Sequence, residues 1–395
     1  FILDDLDMAI SMMDSGSEVG PNRVHKDVAR LFKARVCLYE GTWEKYHSGT
    51  IFAGSTDGTA YLQEAATTAK ALIDEANYSL STGSGDPKQA YYELFVEMDL
   101  TGNPEVLLWR DYDALGLGVA NTIWNWPNNQ GVTQWMIANY LSTDGLPTAV
   151  SPLFVGQDSL SVVEINRDPR LENTIMVPGE LDYVSLSGDS VLFNVPNLGA
   201  NGTPTGYEFE KWRTHWLDPA QNGRTRDVPF IQFRFAEALL IYAEARAELE
   251  TLTQADVDLS INVLRDRVGM PHLDIANITV DPNWPDYGYV IPDYLYEIRR
   301  ERVVEMFGEG LRMGDLMRWR AHSLIVGKRP RGTSYTADIE AEFPGMVIDE
   351  NGFLDPYTEY LNGGVYGFVP TRDYLKPLPI NELTLNSNLE QNPGW

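Results

Sequence analysis

The chain has 395 residues, with 57 Asp and Glu against 30 Lys and Arg, and so carries a formal charge of −27. A charge of this sign opposes binding to nucleic acid, because affinity for a phosphate backbone comes from cations that release counterions. The sequence contains no run of 18 apolar residues, so no membrane-spanning helix is predicted. The single cysteine, Cys37, excludes a disulfide framework and a cysteine-rich zinc site, and is expected to be a small buried side chain.

The first part of the chain has the apolar spacing of paired helices. Residues 24–40 repeat apolar side chains every three or four positions, and Gly41 is predicted to end that helix. Residues 60–78 repeat the pattern with many alanines, which lets a partner helix approach closely. A third helix is expected from residue 86, and residues 104–109 have the β-branched, apolar content of a short strand.

The helical period is lost over residues 111–230, which are rich in Gly, Asn, Pro, Ser and Thr. We predict an irregular region with short strands and one helix near residues 134–140. Helical spacing returns at 231–249 and 254–268, and further helices are expected at about 293–307 and 315–321. From residue 328 onward, loops are predicted because frequent prolines forbid a long helix.

Two pairs of predicted helices, 24–40 with 60–78 and 231–249 with 254–268, have the pattern of helix–turn–helix repeats. Such units stack to bury a continuous core. The predicted fold is therefore mainly α, with tetratricopeptide-like stacked helix pairs and a large loop-rich region that contains short strands. Within this single fold we assign a helical repeat region to 1–109, a loop-rich ligand-binding region to 110–230, a second helical repeat region to 231–327 and a C-terminal loop region to 328–395.

Acidic and basic residues are interleaved on the helices of the second half. At helical spacing on neighbouring helices, such residues most often form bidentate ion pairs that fix the register of the helices. We therefore expect a structural rather than a catalytic role for them. Residues 299–331 hold nine basic residues against four acidic ones, and we favour internal pairing there over a basic site for an anionic sugar. The residues concerned include Glu237, Glu244, Glu301, Glu305 and Asp315 among Arg234, Arg265, Arg302 and Arg312.

An aromatic cluster is the strongest signal of a binding site. Four tryptophans fall within residues 109–135, and side-chain amides lie between them. A flat indole matches the apolar face of a sugar ring, and an amide can both donate to and accept from the hydroxyl groups at its rim. A second loop at 281–289 offers further aromatic rings. The predicted ligand contacts are Trp124, Trp126, Asn125, Asn128, Asn129, Trp135, Trp284 and Tyr287.

Seven segments stand out, in order along the chain: HKDVARLFKARVCLYE (25–40), ANYLSTDGLP (138–147), NRDPRL (166–171), FRFAEALLIYAEARAEL (233–249), INVLRDRVGM (261–270), IRRERVVEMFGEGLRMGDLMRW (298–319) and QNPGW (391–395). Together they resemble the SusD/RagB family of glycan-binding outer-membrane lipoproteins of Bacteroidetes. The resemblance covers nearly the whole chain. The family's N-terminal region, which holds the lipidated cysteine, has no counterpart here.

This resemblance implies a non-catalytic protein on the extracellular face of the outer membrane, held there by a lipid anchor on the missing N-terminal region. It would capture an oligosaccharide or polysaccharide and deliver it to a SusC-like TonB-dependent transporter. No cofactor is expected to be required, although an Asp/Asn-rich loop could hold a structural Ca²⁺ ion. Two alternatives stay open: a glycoside hydrolase or lyase on a helical scaffold, and a SusD-like protein that takes up peptide or another nutrient.

Overall fold

The computed structural model describes residues 1–113, 116–119, 121, 129–185, 187–215 and 227–395. Within these residues the chain forms fifteen α-helices and four short strands. The helices are α1 (Ile2–Met12), α2 (Gly16–Val19), α3 (Lys26–His47), α4 (Thr59–Asp74), α5 (Ala90–Val96), α6 (Gln134–Asn139), α7 (Pro169–Glu172), α8 (Phe235–Glu248), α9 (Gln254–Asp258), α10 (Ile261–Arg267), α11 (Asp293–Glu305), α12 (Arg312–Arg318), α13 (Ala337–Glu342), α14 (Tyr357–Tyr360) and α15 (Ile380–Leu385). The strands are β1 (Val106–Arg110), β2 (Leu181–Val184), β3 (Ser190–Leu192) and β4 (Phe230–Arg234).

The main core lies between α3, α4 and α8, with α11 packed on α8 and α12 on α3. Ala65, Ala66 and Ala69 of α4 are buried there, so the close approach expected from the sequence is confirmed. Cys37 is buried within α3, and burial raises the pKa of its thiol to about 12, which keeps it protonated at neutral pH. The predicted fold class, a mainly α protein of packed helix pairs, is confirmed.

Gly41 does not end the first long helix, contrary to the sequence prediction, because α3 continues through it to His47. Its role is the crossing with α4. A Cβ atom at Gly41 would lie 2.7 Å from Cγ of Leu62, and one at Gly58 would lie 2.1 Å from the carbonyl oxygen of Gly41. Gly58 also has a φ of +79°, a conformation that favours glycine. These two glycines therefore let the two helices touch backbone to backbone.

The second predicted helix pair differs from the sequence prediction at two points. Residues 230–234 form β4, which pairs antiparallel with β1, and the helix begins only at Phe235. The segment predicted as one helix over 254–268 is divided into α9 and α10 at Ser260. The Ser260 hydroxyl donates to the carbonyl oxygen of Asp256 at 2.5 Å. Such local hydrogen bonds compete with a continuous helical ladder.

A buried network of ion pairs joins α7, α10, α11 and the start of α8. Five cations and five anions take part, each with a side chain at most 6% exposed, so the network carries no net charge. These ion pairs have the structural role that was expected from the interleaved acidic and basic residues in the sequence. The members are Arg170, Lys211, Arg234, Arg265 and Arg267 with Glu105, Asp168, Glu301, Glu305 and Glu309.

The C-terminal region runs back over the helical scaffold. Its anchor is Tyr374, whose ring packs edge-on against Trp43 and His47 of α3 at centroid distances of 6.2 Å and 4.6 Å. The phenol oxygen also lies 2.8 Å from Nδ1 of His322. The region predicted as loop contains three short helices, α13 to α15, joined by irregular chain.

Two partly buried carboxyl groups make the stability of the fold depend on pH. Burial, with a contribution from Glu172, raises the pKa of Glu164 to about 7. Burial also raises the pKa of Glu180 to about 8, although a hydrogen bond from the Val177 amide acts in the other direction. Because the folded form holds these protons more tightly than the unfolded chain, stability is highest below about pH 4.5 as far as these groups are concerned, and falls as pH rises towards 8.

We expect Glu180→Gln to raise the free energy of unfolding at pH 8.5, on the order of 1–2 kcal/mol, and to change it much less at pH 5, because Gln replaces a charge that burial disfavours. Urea unfolding at both pH values measures the difference. Glu382→Gln, on the exposed surface of α15, is the control and should change neither value. An equal effect of Glu180→Gln at both pH values would contradict the prediction.

Candidate functional site

Of the predicted contacts, Trp124, Asn125, Trp126 and Asn128 lie outside the described residues. Asn129 is described and its side chain is exposed. Its φ is +61°, and its backbone N–H donates to the carbonyl oxygen of Gly202 at 3.1 Å. The predicted contacts at Trp135, Trp284 and Tyr287 are also described, and the tertiary structure brings these three side chains together.

One narrow cleft is lined by aromatic side chains from two segments that are far apart in the sequence. Trp135, on α6, lines it together with Trp284 and Tyr287, which precede α11. The remaining wall comes from α11, including Tyr296 and Arg299. The cavity between these side chains is about 10 Å³, which is close to the volume needed for one water molecule. A sugar ring therefore cannot enter between the rings and would have to lie on their outer surface.

Trp135 provides that outer surface, since its side chain is 40% exposed. Helix α6 holds it there by burying the two following residues, Met136 and Ile137, in a core shared with α11. The Thr133 side chain accepts the N–H of Met136 at 3.2 Å and caps the helix. The Arg312 guanidinium lies over the indole, 4.7 Å from its centroid.

Trp284 and Tyr287 form the more buried side of the cleft. The Trp284 ring is stacked on Tyr296 at 4.6 Å with an interplanar angle of 7°, and its Nε1 donates to Glu297 at 2.9 Å. Tyr287 is only 3% exposed and lies under the Arg299 guanidinium, 4.6 Å from the ring centroid. These contacts fix both rings, so Tyr287 supports the surface from beneath while the rim is formed by Trp284 and Trp135.

Sequence reasoning missed two members of this site. Tyr296 sits within a helix and has no distinguishing signal in the sequence. Arg312 had been assigned to the internal ion pairs, and this assignment is wrong for the part of the chain that the structure describes, because no carboxylate there pairs with it. Asp315, three residues further along the same helix, is held by Arg302 at 3.0 Å and by Arg318 at 2.8 Å.

Several other aromatic residues belong to the core. Trp109 is buried, and its Nε1 donates to Asp111 at 2.6 Å. Trp212 and Tyr207 are also buried, and Trp212 packs edge-on against Phe95 at 5.3 Å. These rings are therefore unavailable to a ligand and serve packing.

A larger cavity of about 340 Å³ lies elsewhere, between α3, β4 and the loop after α11. Arg35 lies over the Phe233 ring in this cavity, 4.2 Å from its centroid. Two of its charged groups, Arg35 and Glu237, are paired with each other at 2.6 Å. Its other two charged groups, Arg234 and Glu309, are paired at 2.8 Å, so the charged lining of this cavity is engaged in structural ion pairs.

Neither a cluster of metal ligands nor a membrane-spanning helix is found among the described residues. There, no group of three or more His, Cys, Asp or Glu side chains is arranged to hold a metal ion. The structural Ca²⁺ stays a prediction, since that ion also accepts amide and carbonyl ligands. No described helix combines the length and the apolar character required to cross a bilayer.

The chain is thus a scaffold of packed helix pairs with a partly exposed aromatic surface between α6 and the segment before α11. The chain matches the model of the SusD family over residues 108–395. It is therefore a member of the SusD/RagB family. The sequence resemblance is confirmed.

Individual relatives agree with this assignment. The SusD-like protein P2 of Formosa agariphila is 29% identical over 175 residues, which is 44% of this chain and only 27% of the relative's length. A SusD-like carbohydrate binding protein of Bacteroides fragilis superposes with a TM-score of 0.68 at 20% identity, over 98% of this chain and 70% of that one. A second SusD-like protein of Bacteroides fragilis gives 0.66 at 22% identity, over 100% and 70%. At these identities the likeness establishes the fold.

Proposed function

We propose that the protein binds glycans at a cell surface and takes part in their uptake without catalysing a reaction. The observation that carries the proposal is the exposed Trp135 ring at the rim of a rigid aromatic cleft. Such a surface suits the apolar face of a pyranose ring. Membership of the SusD family supports the same function, and the Bacteroides fragilis relative is described as carbohydrate binding.

From the family we also propose that a lipid anchor holds the protein in the outer membrane and that the protein delivers the glycan to a SusC-like TonB-dependent transporter. A shallow platform that must release its cargo to a transporter does not need tight binding. Trp124, Asn125, Trp126 and Asn128 remain proposed ligand contacts, and Asn129 offers an exposed amide next to them in the sequence.

The geometry of acidic residues favours binding over glycoside hydrolysis. Hydrolases of the common types need two carboxyl groups aimed at one bond across a cleft, about 5–10 Å apart. Glu297, beside the aromatic cleft, accepts from Trp284 and pairs with Arg300 at 3.2 Å. The large group of buried carboxylates at Glu301 and Glu305 is likewise engaged by arginines.

We expect Trp135→Ala to weaken binding of the cognate glycan about tenfold, equivalent to about 1.4 kcal/mol, because stacking on the indole is lost. Calorimetry across neutral and uronate-containing oligosaccharides identifies the glycan and measures the change. Trp395→Ala is a matched control, since Trp395 is 47% exposed and also lies under an arginine, Arg372 at 4.3 Å.

Unchanged affinity in Trp135→Ala would remove this residue from the site. Unchanged affinity after joint replacement of Trp124 and Trp126 by Ala would remove those two residues. If the purified protein shortened an oligosaccharide, and one Asp or Glu substitution abolished this turnover, the non-catalytic function would be wrong. Selective binding of peptides, with none of the glycans bound, would favour the nutrient-uptake alternative.

A further inference from the structure

The basic segment at 299–331 is mostly neutralised by internal pairs. Six of its nine basic residues have carboxylate partners within 3.0 Å. The other three, Arg312, Arg320 and Lys328, have no ion pair with any residue that the structure describes. The six pairs are Arg299 with Glu248, Arg300 with Asp281, Arg302 with Asp315, Arg318 with Glu244, Arg329 with Asp355 and Arg331 with Asp349.

Arg312 is the unpaired member that lies at the aromatic surface. Its guanidinium lies near two indoles, 4.7 Å from the centroid of Trp135 and 5.6 Å from that of Trp319. Its Nη1 atom is buried and has no hydrogen-bond acceptor among the described residues. Burial lowers the pKa of Arg312, the effect expected where no carboxylate compensates for lost water. The side chain nevertheless keeps part of its surface open to solvent.

We propose that Arg312 and Trp135 together recognise an acidic sugar, with the pyranose ring on the indole and an anionic substituent paired with the guanidinium. This inference rests on the proposed glycan-binding function and adds the substrate class. The substituent is the carboxylate of a uronic acid or a sulfate ester, since both present oxygens that match the planar guanidinium.

Arg312 lacks a carboxylate partner among the described residues, and an anionic ligand could fill that role. A guanidinium presents five N–H donors in one plane and pairs with carboxylate or sulfate oxygens in a bidentate way. The two neighbouring indoles restrict the movement of the guanidinium. Because Nη1 is buried, an anion would pair with Nε and Nη2, which are not among the buried unpaired atoms. Much of the hydration of this cation has already been lost in the folded protein, so an arriving anion gains the charge interaction with less further desolvation.

Neighbouring charges do not supply the missing anion. Asp315 is held by Arg302 and Arg318, and Glu297 by Arg300. The net charge of −27 opposes anions at long range, but this repulsion is screened beyond about 8 Å at physiological ionic strength. Contact with Arg312 therefore decides the binding of an acidic sugar once it has reached the surface.

The test uses oligogalacturonate, oligoalginate and chondroitin sulfate oligosaccharides, each beside its carboxyl-reduced or desulfated counterpart. Calorimetry should show that at least one acidic probe binds ten times or more tighter than its neutral counterpart. Arg312→Gln should remove this preference by weakening the acidic probe about tenfold and leaving the neutral one unchanged. Lys328→Gln, an equal loss of charge at an exposed residue of the same segment, is the matched control.

Arg312→Lys provides a second variant that keeps the charge and loses the planar fork, and should give a partial loss of the preference. Circular dichroism checks that each variant is folded. Equal binding of acidic and neutral probes, or an equal effect of Arg312→Gln on both, would overturn the inference. If only neutral glycans bind, and do so through Trp135, the inference fails while the proposed function stands. If no glycan binds at all, both fail.

Discussion

Replacement of Glu305 by Gln is expected to lower the free energy of unfolding by about 3–5 kcal/mol, because it leaves buried arginines without their shared counter-ion. Glu305 is fully buried and accepts from Arg170 at 3.0 Å, from Arg234 at 2.6 Å and from Arg267 at 2.6 Å. Burial alone would raise the pKa of Glu305, but the charges of these arginines outweigh it and hold the pKa well below its usual value.

Urea unfolding at pH 7 measures this loss. The control is Asp74→Asn, which breaks the exposed pair between Asp74 and Lys70 on α4 and should cost less than about 0.5 kcal/mol. Because its pKa is lowered in the folded protein, Glu305 contributes fully above about pH 4.5, and this contribution is lost progressively as the pH falls below that value. A cost below 1 kcal/mol for Glu305→Gln would mean that water or rearranged side chains satisfy the three arginines, and that the network does not hold the helices in register.

Trp319→Ala is expected to lower the free energy of unfolding by a similar amount, about 3–5 kcal/mol, since the residue is fully buried and its removal leaves a large cavity. The indole Nε1 donates to Glu244 at 2.7 Å, and the ring lies under Arg299 at 4.5 Å and under Arg318 at 4.7 Å. Trp319→Ala removes all three of these contacts together.

Trp319→Phe separates the ring from its hydrogen bond. It should cost about 1–2 kcal/mol, because an aromatic ring still fills most of the space and Arg318 still pairs with Glu244 at 2.5 Å. Trp135→Ala, at the exposed surface, should cost less than about 1 kcal/mol. Thermal or urea unfolding compares the variants. Equal losses for Trp319→Ala and Trp135→Ala would contradict the division of the two tryptophans between core and ligand surface.

Local patterns predicted the helical framework well. The apolar period located α3 and α4, because in a globular protein the buried face of a helix must repeat with the helical turn. The helices α8 and α11 were also located, although both are buried on nearly all sides. The errors occurred where a contact elsewhere in the chain decides the outcome. Glycine commonly ends helices, and Gly41 was therefore predicted to end α3. The close crossing with α4 instead requires a glycine inside the helix.

The aromatic surface was predicted only as separate pieces. Side chains suited to sugar rings could be recognised from residue type, yet nothing in the sequence relates Trp135 to Trp284, which lie far apart in the chain. Their meeting depends on how α6 packs against α11. Residue type likewise could not show that Tyr287 is buried whereas Trp135 is exposed, because the difference is set by the neighbouring layer of helices.

The sequence by itself determined the family, the mainly α fold and the pairing of most charges, since these follow from periodicity and from the ordered segments shared with relatives. Only the tertiary structure decided which charge stays unpaired. Arg312 and Asp315 have the spacing of an ion pair on one helix, but Arg302 and Arg318 reach the carboxylate instead. Competition for a buried carboxylate is settled by distance and by the shape of the surrounding core. For this reason the residue that we propose to select the ligand became visible only in the folded protein.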